Sequence, residues 1–91
     1  MEFLEFRWND WNVDHIAEHG VKPQQAEFVV RRARPPFPQE SARRTYLVMG
    51  PDYNGLLLRV AYLLDPDDTV FVIHAMPLTG KEKKRYRRRM P

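Results

Sequence analysis

The chain has 91 residues, 43% of them apolar and 30% charged, with no cysteine and a formal net charge of +3. This suits one small domain around a single core, residues 1–91, and it excludes a disulfide framework or a thiolate metal site. No apolar run approaches the roughly 20 residues that a membrane span needs. The opening "MEFLEFRWND" has an acidic second residue and no long apolar stretch, so it does not read as a signal peptide. A cytoplasmic protein is expected.

The pattern "FLEFRW" (3–8) sets Phe3, Glu5 and Arg7 against Leu4, Phe6 and Trp8, a period of two that predicts a strand. Asn9 or Asp10 then caps a first helix running to His19. Gly20 is its expected left-handed stop. Pro23 sits in the first turn of a second helix, where its missing N–H costs nothing. Ala26, Val29, Val30 and Ala33 form that helix's apolar stripe. "RPPFP" (34–38) ends it, and residues 36–42 read as a loop.

Strands follow. "RRTYLVMG" (43–50) alternates. "PDYNG" (51–55) is a turn, with Asn54-Gly55 a strong hairpin pair. "LLLRVAYLL" (56–64) and "TVFVIHAM" (69–76) are two further strands joined by the turn "DPDD" (65–68). Thr79 and Glu82 form a Thr-x-x-Glu capping box for a final helix. The predicted order is β-α-α-β-β-β-α. Hairpin-length turns between the last strands imply an antiparallel meander with helices packed on one side, hence α+β.

The charge is uneven. Residues 81–91 hold seven basic side chains and one acid, whereas the first 80 residues are net acidic. A second basic group, Arg31, Arg32, Arg34, Arg43 and Arg44, lies within that acidic body. If the two groups meet, they make one positive face that attracts polyanions, nucleic acid first. The run Leu56-Leu57-Leu58 is expected to leave part of one sheet face apolar and uncovered, a partner surface.

"HIAEHG" (15–20) contains His15-x-x-Glu18-His19, the inverted form of a zinc-protease motif. A catalytic zinc needs a third protein ligand, and the available Glu27, Glu40 and His74 are not placed by any second motif. Zinc hydrolysis by His15, Glu18 and His19 is therefore the weakest of three functional readings, and neither a metal nor a cofactor is expected.

A wider set of features is carried from end to end: "W8-N-D-W" with "H19-G20-V21", "Y46-L-V-M-G50" with "N54-G55", "V72-I73-H74-A75", and "L78-T79-G-K-E82-K-K-R85-Y86". Together these resemble the BrnT family, small toxins of type II toxin–antitoxin modules with a RelE-like ribonuclease fold. The resemblance spans residues 3–88. It implies metal-independent endoribonuclease activity on mRNA and a cognate antitoxin as partner. An antitoxin or a homodimer contact would suit the apolar face. The family usually carries Arg directly after the hairpin Gly and after the last-strand Ala. Leu56 and Met76 stand there, which implies attenuated cleavage, or a non-catalytic module that binds RNA or an antitoxin.

Within that resemblance the candidate catalytic residues are His74, Tyr86, Arg59 and His19. A histidine titrates near neutral pH and can serve as acid or base. Tyr86 matches the family's last-helix tyrosine and can stack on a base or donate a proton. Arg59 lies on the face opposite Leu56 by strand alternation. His19 orients the end of the first helix. Lys83, Lys84, Arg85, Arg87 and Arg88, with Arg43 and Arg44, are the expected phosphate contacts.

Overall fold

A computed structural model describes residues 4–90. Three helices and four strands follow in the order α1 (Asp10–Ala17), α2 (Pro23–Arg31), β1 (Gln39–Ala42), β2 (Thr45–Pro51), β3 (Leu57–Leu64), β4 (Val70–Pro77) and α3 (Gly80–Arg89). The strands form one antiparallel sheet in the order β1-β2-β3-β4. The α+β class and the meander are as the turn chemistry predicts.

The expected first strand is reduced to one parallel bridge, Phe6 to Val70. Arg7 N–H donates to the Val70 carbonyl and Val70 N–H to the Glu5 carbonyl, each at 2.8 Å. Pairing stops there because Asn9 already caps α1, which turns the chain away from the sheet. Phe3, the start of the predicted strand, lies outside the described residues. The predicted loop 36–42 contains β1 instead, four residues paired with the start of β2. The 43–50 strand begins two residues late, because Arg43 and Arg44 make the β1–β2 turn with Arg44 at φ 59°.

Both outer helix starts are closed reciprocally. The Asn9 side chain accepts from Asn12 N–H at 3.2 Å and Asn12 Oδ1 accepts from Asn9 N–H at 2.8 Å. Thr79 and Glu82 make the same exchange at α3, at 3.2 and 3.0 Å. Such caps satisfy donors that have no partner within the helix. Asn12 also donates to the Arg7 carbonyl, so this fully buried amide is hydrogen-bonded on both its oxygen and its nitrogen. α1 ends at Ala17 rather than His19, and Gly20 takes φ +74° as expected.

The inner sheet face carries Val48, Leu58, Val60, Val72 and Ala75, all fully buried, against Ile16 of α1 and Ala26, Val29 and Val30 of α2. Ala33 lies beyond the end of α2 yet still packs on this core. α3 packs on the same core through Tyr86 and also reaches past it. Its Glu82 meets Arg59, whose side chain points away from the inner face. Its Tyr86 stacks on Phe37, ring centres 6.5 Å apart.

Candidate active site

Strict alternation along β4 would put Val70, Val72 and residue 74 on one face. The structure breaks it. Tyr62 pairs with Val72 but Ala61 pairs with His74, leaving Ile73 as an extra residue. A bulge of this kind re-aims the side chains that follow it. Core contact therefore passes from Val72 to Ala75, and His74 moves to the outer face with Arg59 and Met76.

There His74 meets α1. Its ring centre lies 5.3 Å from that of His19 and 6.1 Å from that of His15. His15 stacks on Trp11 at 5.0 Å, and Trp11 on Phe71 at 5.9 Å, an aromatic support that fixes one wall of the cluster. The His74 pKa is held below the ordinary histidine value, first by burial and then by His19, Arg59 and His15. Taking a proton here means placing a charge in a half-buried site already facing a guanidinium.

Arg59 donates to Glu82 at 3.0 Å, while the other Glu82 oxygen accepts from Thr79 N–H. One carboxylate thus closes the start of α3 and holds Arg59. The Arg59 Nε is buried without a hydrogen-bond partner, so a donor on this guanidinium stays unspent. Met76 is the cross-strand partner of Arg59.

The structure gathers three of the four expected catalytic residues, His74, Arg59 and His19, and adds His15, which sequence reasoning had assigned only to the zinc pattern. The spacing of His15 and His19 gave that signal, since it puts both on one helical face. Tyr86 makes its contacts elsewhere. It stacks on Phe37 and lines a separate cleft of about 360 Å³ with Arg32, Arg34 and Tyr53. Among the described residues no group of three or more His, Cys, Asp or Glu is arranged to hold a metal ion. Glu18 is the exposed C-cap of α1. Glu27 accepts from the Trp8 indole at 2.7 Å, and Glu40 lies by the Arg44 N–H.

The basic residues divide. Lys84, Arg85, Arg87 and Arg88 are exposed on α3, Lys83 is half-buried, and Arg43 is exposed at the β1–β2 turn. Arg44 differs from expectation. Its guanidinium donates to the Leu64 and Asp65 carbonyls and to Asp68, fastening the β3–β4 turn. Arg31 is likewise committed to the Leu4 carbonyl and the Phe6 ring. Of the second basic group, Arg32 and Arg34 reach a cleft that Tyr86 of α3 and its C-cap Met90 also line.

No protein-family model, curated protein or solved structure matches the chain. Among the described residues no helix is long and apolar enough to cross a membrane.

Proposed function

We propose that this protein is a BrnT-like toxin of RelE-like fold, a metal-independent endoribonuclease acting on mRNA at an attenuated rate and restrained by a cognate antitoxin. The observation that carries the reading is the bulge at Ile73, which sets His74 beside His15, His19 and Arg59. The low proton affinity of His74 keeps its imidazole neutral near pH 7, ready to accept a proton. It takes the proton of an RNA 2′-hydroxyl. The 2′-oxygen bonds to the adjacent phosphorus, the bond from phosphorus to the 5′-oxygen breaks, and a 2′,3′-cyclic phosphate remains. His19, entering the step in its protonated form, gives a proton to the departing 5′-oxygen, and His74 keeps the one it took. Arg59 faces the phosphate, whose charge grows at that stage. Met76 stands where the resemblance implies an arginine, and its cross-strand partner Arg59 supplies a guanidinium on the same face.

The test is incubation of the purified protein with labelled mRNA, with and without EDTA. EDTA-resistant cleavage is expected, reduced about 10²–10⁴-fold by His74→Ala. Loss of cleavage in EDTA would return attention to His15, Glu18 and His19 as metal ligands. Intact RNA with folded wild-type protein would sink the nuclease reading.

A second reading, a non-catalytic module that binds RNA or an antitoxin, draws on the Glu82 contact that restrains Arg59 and on Leu56 in place of a second arginine. Such a module binds RNA with steep salt dependence and leaves it uncut. The exposed Leu56 and Leu63 give an antitoxin, or a second copy of the chain, an apolar surface to cover.

A further inference from the structure

The cleft on the far side of Arg59 from the histidines is built from parts that the cleavage chemistry does not use. We infer that it binds one unstacked nucleotide, an aromatic base with its phosphate. This rests on the proposed action on RNA and adds a subsite to it.

Three aromatic rings reach the cleft from three separate elements: Phe28 of α2, Tyr53 of the β2–β3 turn and Tyr86 of α3. Phe28 and Tyr53 meet edge to face, ring centres 5.8 Å apart and planes at 84°. Tyr53 is thereby fixed by its edge contact while half of it stays exposed. A tyrosine held in this way presents a flat apolar surface to an incoming planar ring. Tyr86 is anchored from behind by Phe37.

The charge at the cleft suits an anion. Arg32 lies over the Phe28 ring at 4.8 Å, and both Arg32 and Arg34 are exposed on the cleft wall. No acidic side chain neutralises them in the way that Asp68 and Glu82 neutralise Arg44 and Arg59 among the described residues. The cleft's carboxylate, Asp52, is committed within the fold. It accepts from Gln25 at 2.8 Å and from the backbone N–H groups of Asn54 and Leu56 at 2.8 and 2.9 Å. Tyr86 of α3 and Met90, the C-cap of that helix, close the cleft on its other side. A volume of about 360 Å³ is at the small end of ligand pockets, enough for one nucleotide and too little for paired bases. Aromatic surface beside paired guanidinium groups is how single-stranded nucleic acid is held, base by stacking and phosphate by charge.

The experiment measures binding with cleavage disabled. A short RNA with 2′-O-methyl sugars, and separately the free nucleoside 5′-monophosphates, are titrated against the whole chain and against Tyr53→Ala and Arg34→Ala, both exposed positions that leave the core intact. Binding is expected to weaken about tenfold or more in each variant. Binding of the monophosphates alone would identify a free nucleotide as the source of the ligand. Binding seen only with the oligonucleotide would identify an RNA strand. Either supports the inference. Oligonucleotide affinity unchanged in both variants would overturn the subsite and leave the nuclease reading standing. Absence of binding by either ligand to the wild-type chain would overturn it as well.

Discussion

The two faces of the sheet are made by alternate residues of the same strands, yet they have different work. On the inner face Val48, Leu58, Val60 and Ala75 are sealed from water. On the outer face Leu47, Met49, Arg59, Ala61 and His74 are only half covered, and every polar group of the proposed cleavage site approaches from that side. The difference teaches how a chain this small separates stability from chemistry. One face holds the fold, and one extra residue in β4 is enough to send a histidine to the other.

The contrast can be broken most severely at Leu58. Leu58→Ala is expected to cost about 2–5 kcal/mol, because a fully buried side chain leaves a cavity as well as lost burial. Urea unfolding monitored by tryptophan fluorescence reads it directly. On the outer face, Glu82→Ala removes both the backward arm of the α3 cap and the partner of Arg59. A loss of about 1–2 kcal/mol is expected, seen as a lower denaturation midpoint with an unchanged slope. A smaller effect comes from His74. Its folded-state pKa lies below that of the unfolded chain, so the unfolded state takes up the proton first as the pH falls. Stability should decline as the pH drops through about 6.5 and level off once the folded-state value is passed. Comparing midpoints at successive pH values for wild type and His74→Gln isolates this contribution, and an unchanged pH slope in the variant would contradict the assignment. The smallest effect belongs to Leu63→Ala. At 36% exposure it should move stability by less than about 1 kcal/mol. A cost equal to that of Leu58→Ala would erase the distinction between the faces.

Local signals read well where one residue decides the outcome. Thr79 and Glu82 close α3 as their spacing indicates, and Gly20 and Gly55 take the left-handed conformations their positions require. Features set by tertiary contact were not legible. The alternation of 3–8 is real, but Phe6 finds one bridge with β4 before Asn9 diverts the chain. β1 was hidden because Gln39, Glu40 and Ser41 carry no apolar alternation and follow a run of prolines. The Ile73 bulge leaves no mark in "TVFVIHAM", since a regular strand fits those letters equally well. Arg44 looked like one more surface cation, and only the fold shows its guanidinium fastened to the next turn but one. Tyr86 and His74 were grouped by resemblance, whereas the course of α3 takes the tyrosine to Phe37.

The short strand β1 has a consequence for how the protein behaves in crowded solution. A sheet with two open margins is a template on which other chains can add strands. Here one margin is four residues long, carries Glu40 and follows Pro38, so it offers an incoming strand little backbone to pair with. The other is β4, occupied at its start by the Phe6 bridge and packed against α1. Growth of the sheet from molecule to molecule therefore finds little free backbone at β1 and at the start of β4, so the half-covered outer face is the broader surface left for a partner.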